Sequence, residues 1–285
     1  MTMSESLPAN GRKIPWFEVF KYSVYSLLTI NAFLFFLEDH AASAHLFADG
    51  LSFDRLIEGY AATIDTVSWI LLLFVFELET RIIDDDKLKG GLKWLLTAFK
   101  LLCYTVIAYA VWGYVSKYMV VHSFEPSQLQ TLCSQAAHSL AFMTDLDEYS
   151  IVTAANCAEL SSSTQFLQLP ETNIIADPET ERQAQWLALI DVVNATDWLL
   201  VVLILGLDVW LQMKGRLTDN MIRITVAIKA VLYFVLLVCA VLWGIDGDFL
   251  DFWDAFLWIV AFVFIELNLF EWHEETEELA AATLD

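Results

Sequence analysis

Lys21, Lys100 and Lys229 each stand four residues before a tyrosine, at Tyr25, Tyr104 and Tyr233, near the start of an apolar run. Three other apolar runs carry a polar residue and then a tryptophan four residues on: Asp65/Trp69, Asn194/Trp198 and Asp254/Trp258. Acids follow two to three turns further in, at Glu77, Glu79, Asp208 and Glu266. Lysines and carboxylates in such surroundings have two uses. Paired, they fix helix order and register. Facing a wet space, they line a route for cations. The repeat pairs Glu79 with Lys100, Asp208 with Lys229, and Glu266 with Lys21, all at one depth, the last closing the ring between helix six and helix one.

Glu77 and Glu266 are the deepest acids. Each lies twelve residues past an aspartate, Asp65 or Asp254. At about 1.5 Å per residue each pair spans ~18 Å, against ~30 Å of hydrocarbon. One member of each pair therefore dips below the headgroups and needs a partner or water. Gly206 holds the matching place after Asn194, which argues against a ring of three carboxylates. Tyr25, Tyr104, Tyr233, Trp69, Trp198 and Trp258 are read either as path-lining side chains or as core.

The elements that must position these residues are long helices. The chain has 285 residues, 58% of them hydrophobic, with 20 Phe and 11 Trp. Apolar residues gather in six stretches of bilayer-spanning length: Phe17–Leu37, Ala62–Ile83, Leu92–Tyr114, Ala188–Met213, Met221–Gly244 and Phe252–Phe270. The lysine–tyrosine type and the tryptophan type alternate along the chain. The expected fold is all-α and polytopic: six transmembrane helices as three repeated hairpins with pseudo-threefold symmetry, opened at the cytoplasmic side. Residues 1–117 hold the first three helices and a short outer loop at 38–59. Residues 118–187 form a small extracytoplasmic insert, 188–272 the last three helices, and 273–285 an acidic tail.

The insert is expected to be helical, because Gln128–Met143 and Leu146–Leu160 place apolar residues at helical spacing. Residues Gln165–Ile175 read as extended. Asp177-Pro178 with Glu179 and Glu181 marks a helix start that runs into the fourth span.

Basic residues set the orientation. With the N-terminus inside, twelve of the fifteen Lys and Arg fall on the cytoplasmic side, leaving Arg55, Lys117 and Arg182 elsewhere. Both termini are then cytoplasmic, residues 118–187 periplasmic, and the bilayer a bacterial inner membrane. A competing reading makes the first span a signal peptide with a site at Ala42-Ser43-Ala44. Of the four cysteines, Cys103 and Cys239 read as small core residues, and Cys133 and Cys157 as a disulfide in an oxidising compartment.

The net charge is −22, and most of the acid lies in the expected outer segments. Such a face repels nucleic acid and either stays merely solvated or gathers cations. His40 and His45, beside Glu38, Asp39 and Asp49, are weak metal candidates without ligand spacing, so no metal is assigned. The chain shows no phosphate loop, dinucleotide motif, nucleophile elbow or paired haem histidines. No cofactor is expected, and an enzyme is the least favoured class. The leading function is a channel or transporter for a small cation or other small solute. The alternative is a non-transporting scaffold or sensor subunit that binds a periplasmic partner, or a second copy of itself, through residues 118–187.

Overall fold

The computed structural model describes residues 16–47, 56–79, 83, 89–135, 140–214 and 218–262. Apolar helices dominate it. They are α1 (Trp16–Leu46), the single turn α2 (Leu56–Gly59), α3 (Ala61–Glu77), α4 (Gly91–Val121), the single turn α5 (Cys157–Leu160), α6 (Pro178–Met213) and α7 (Asp219–Asp246). A last helix, α8, is described over 249–262. Four helices are long and apolar enough to cross a membrane: Glu18–Leu46, Gly91–Val121, Pro178–Asp208 and Asn220–Asp246. Their flanks expose large apolar side chains such as Phe33, Leu101, Leu203, Val231 and Phe234, each 59–65% exposed. Water disfavours such a surface and lipid does not, which fits a membrane protein.

Helices consecutive along the chain pack side by side, α1 on α3, α3 on α4, α4 on α6 and α6 on α7. The first and last described helices are joined by Asn31 Nδ2, which donates to Asp254 Oδ1 at 2.9 Å. All six long helices contribute to one apolar core, in which Leu28, Ile107, Val201 and Leu236 are almost wholly buried. The α4 contact is closest at Gly113, where a Cβ would lie 2.6 Å from the Ile57 carbonyl oxygen and 3.0 Å from Ala61 Cβ. Only a glycine admits that approach, and Tyr114 and Lys117 follow it along α4.

Residues 118–187 depart from the helical insert that spacing suggests. They form a five-stranded sheet in the order β1 (Glu125–Pro126), β4 (Leu167–Gln168), β5 (Ile174–Ala176), β2 (Ala141–Met143), β3 (Tyr149–Ile151). Only β5 and β2 run parallel. Between α4 and α6, helix among the described residues is the four-residue turn α5 and a 3-10 turn at Leu132–Gln135. The run Leu140-Ala141-Phe142-Met143 is apolar throughout because both faces of β2 are buried, so its periodicity cannot tell strand from helix. Ala141, Met143, Ile174 and Ala176 face the bundle end, packing with Val121, Leu187 and Trp243. Phe142 and Ile175 face the other way, onto Leu132, Phe166 and Cys157. The Cys133–Cys157 disulfide staples that far layer, with Cα atoms 5.0 Å apart. The extended reading of 165–175 holds in β4 and β5.

Pro178 opens α6 as its first helical residue, as the sequence suggests. Asp177 caps it, accepting from Thr180 N at 2.9 Å and from Ser161 Oγ at 2.6 Å. Burial works against that carboxylate's charge, but these hydrogen bonds prevail and hold it below the usual carboxylate range. Ala42 and Ser43 are buried within the closing turns of α1 rather than in extended chain. Asp49, Arg55, residues 84–88 of the turn and Glu266 with the tail lie outside the described residues.

Candidate functional site

The helices carry two polar layers, one at each end of the bundle. At the end away from the sheet every described carboxylate named from the sequence meets a lysine. Lys100 Nζ lies 2.6 Å from Glu79 Oε2, and Lys229 Nζ 3.4 Å from Asp208 Oδ2. Lys21 Nζ lies 2.5 Å from Glu77 Oε1, which also accepts from Tyr22 OH at 3.2 Å. Glu266, the expected partner of Lys21, falls outside the described residues. Hairpin spacing is enough to bring the first two pairs together. The third joins α1 to α3, neighbours in the bundle but separated by 56 residues in the chain. The tyrosines stay with the packing: Tyr25 meets Phe74 edge-on at 6.4 Å, Tyr233 packs on the core, and Tyr104 is 39% exposed on the flank.

The sheet end is different. A cavity of about 60 Å³ opens there, room for a few waters or one small ion. Its floor is the three tryptophans. The Trp69 ring lies 6.3 Å from Trp198 and 6.2 Å from Trp258, and Phe262 closes the gap 4.8 Å from Trp198. One turn above stand Asp65, Asn194 and Asp254, and one further turn up stand Ala62, Asp191 and Asp251. The i, i+3, i+7 spacing on α3, α6 and α8 places each such set on one helix face, which is why all three point at the same space.

Other elements complete the walls. α1 contributes Glu38 and Asp39, α4 contributes Tyr114 and Lys117, and the β2–β3 loop lowers Asp147 from above. Lys117 Nζ is 2.8 Å from Asp147 Oδ2. Asp39 Oδ2 accepts from Thr63 N at 3.0 Å and Thr63 Oγ1 at 2.6 Å, in the first turn of α3, where helix N–H groups lack a partner within the helix. The cavity thus gathers seven carboxylates, Glu38, Asp39, Asp65, Asp147, Asp191, Asp251 and Asp254, around the lone Lys117. Two acceptors at the site, Asp65 Oδ1 and Asn194 Oδ1, are buried without a hydrogen-bond partner among the described residues. At the rim, burial pushes the Asp145 carboxyl up, partly offset by Leu146 N donating at 2.7 Å, with Asp248 and Asp246 raising it further.

The histidines named as weak ligands stand apart from this cluster. His40 Nδ1 lies 3.0 Å from Tyr60 OH and stacks on Phe36, and His45 rests on Tyr149. Among the described residues no three His, Cys, Asp or Glu side chains are placed to share a metal ion. The arrangement gathers carboxylates above indole rings without a chelating ligand set among the described residues.

Sequence spacing singled out the three tryptophans and the polar residue before each. It missed Asp191 and Asp251, although each stands three residues before the polar member, as Ala62 does before Asp65. Asp147 and Lys117 carry no such signal, because loop and helix meet only in the fold. No known protein family, no curated protein and no solved structure matches this chain.

Proposed function

We propose that this protein is a bacterial inner-membrane protein that binds a small cation from the periplasmic side, and passes it inward when the tryptophan floor opens. Six helices then cross the bilayer as three like hairpins, with the sheet outside and both termini in the cytoplasm. The asymmetry of basic residues supports that orientation. The recurring spacing Ala62/Asp65/Trp69, Asp191/Asn194/Trp198 and Asp251/Asp254/Trp258 supports the repeat.

One observation carries the cation reading: seven carboxylates and one lysine surround a space above three indoles. Like charges in so small a volume repel strongly unless protons or other cations enter among them. The indoles of Trp69 and Trp258 donate to Asp65 and Asp254 and close the space from below. Methylammonium is a suitable probe because it fits the volume and combines charge with an apolar face. Asp254→Asn and Asp65→Asn should weaken its binding about tenfold or more, the ~1.4 kcal/mol expected of one lost charge contact. Glu77→Gln, in the paired layer, should leave binding unchanged. Equal binding by all four proteins in calorimetric titration would remove the site. Labelling of intact cells should modify a cysteine placed at Ser162 and spare one at Lys89; the reverse pattern would invert the orientation.

A sensor or scaffold is the second reading. It is favoured by the packing below the floor, where Leu28, Val201 and Leu236 are almost wholly buried. Flux of methylammonium into proteoliposomes separates the two, since a sensor binds without transport.

A further inference from the structure

A second, larger space borders the first. It is a groove of about 720 Å³ between α1, α8 and the β2–β3 loop, within the ~300–1,000 Å³ of pockets that hold organic ligands. Its lower wall is aliphatic and aromatic, with Leu27, Ile30, Leu34 and Trp253. Its upper end is acidic, with Glu38, Asp147 and Glu148. Glu38 and Asp147 also line the tryptophan-floored cavity, so the two spaces meet at these carboxylates. Asn31 lines the groove while donating to Asp254 of the cavity, and forms the remaining partition between them.

We propose that the groove binds a membrane aminolipid of the phosphatidylethanolamine type, its acyl chain on Leu27, Ile30, Leu34 and Trp253 and its ammonium at Asp147 and Glu148. The inference rests on the reading that these helices span a bilayer. Shape and charge select the occupant together. Ile30 and Leu34 are 54% and 41% exposed and continuous with the apolar flank, so a chain enters sideways from the bilayer. The acidic end attracts an ammonium and repels a headgroup whose only charge is anionic. Its neighbour Tyr149 offers the ring and hydroxyl common where chain meets headgroup. The aminolipid would lie with its head against Glu38, at the doorway of the cation cavity.

The test uses the full-length protein purified in mild detergent. Native mass spectrometry follows incubation with phosphatidylethanolamine or phosphatidylglycerol of identical acyl chains. Retention of the aminolipid at several-fold higher occupancy is expected. Leu34→Trp, which fills the groove at an exposed position, should abolish that retention while methylammonium still binds the cavity. Glu148→Gln, also exposed, should narrow the preference between the two lipids. Equal retention of both lipids by the wild type, or undiminished retention by Leu34→Trp, overturns the proposal. Release of the chain from membranes by alkaline carbonate would instead overturn the bilayer reading. Loss of methylammonium binding alone would sink the cation site and leave the groove standing.

Discussion

The two polar layers of this bundle use the same residue types to opposite ends. Away from the sheet, Glu77, Glu79 and Asp208 each have a lysine within 3.4 Å. Beneath the sheet, seven carboxylates share Lys117. A matched pair in a low-dielectric interior is a device for fixing which helix meets which, and need add little net stability. An unmatched excess does not fix register and is unfavourable unless something positive joins it. The difference is one of charge balance: one layer is neutral pair by pair, the other is not.

The contrast is broken most easily at Lys117. Lys117→Met leaves Asp147, Asp39 and Asp191 without their internal counter-charge, and should destabilise the protein by about 3–5 kcal/mol. Thermal unfolding in detergent reads this directly. Adding Asp147→Asn should restore only a small part, since the other carboxylates remain. An unchanged midpoint in the single variant would mean that external cations already dominate the cavity.

The matched layer should respond differently. Lys21→Met alone should also lose about 3–5 kcal/mol, because both side chains of the pair are about nine-tenths buried. Lys21→Met with Glu77→Leu should recover most of the loss, since no unpaired charge is left behind. Strictly additive losses would place Glu77 with the unmatched acids. Reducing the Cys133–Cys157 bond, or Cys133→Ser, should cost about 2–4 kcal/mol, and should weaken methylammonium binding through the hairpin that carries Asp147. The paired layer is far from that change, so its hydrogen-exchange protection should stay constant.

The smallest expected effect is at Asp177, whose capping bonds are worth about 0.5–2 kcal/mol. Its carboxyl is held below the usual range in the fold. Its contribution is therefore complete above the ordinary carboxylate pKa of about 3.9, and is lost as pH falls through the lower folded value. Asp177→Asn should reduce stability at neutral pH and flatten this acid limb. An identical limb in both proteins would show that other groups set it.

Much of the helical frame is legible in the sequence because long apolar runs have few alternatives. The Glu79–Lys100 and Asp208–Lys229 contacts are legible too, being local to a helix, a turn and a helix. The disulfide followed from which cysteines share a segment. The sheet was not legible: strands of two or three residues are too short to show alternation, and β2 and β5 are buried on both faces. Nor was the cavity, whose walls come from α1, α3, α4, α6, α8 and a loop. A helix-face pattern names the tryptophans, but only packing reveals that Lys117 and Asp147 face them.

α6 runs without interruption from just past β5, the central strand of the sheet, into the centre of the bundle. Trp198 lies twenty residues past Pro178, about 30 Å along a single hydrogen-bonded rod. Such a rod is stiff, so the sheet and one third of the aromatic floor form the two arms of a lever. A ligand that gripped the sheet and tilted it by a few degrees would swing the Trp198 indole by an ångström or more. In a floor of interlocked rings, that is enough to part Trp198 from Phe262, 4.8 Å away.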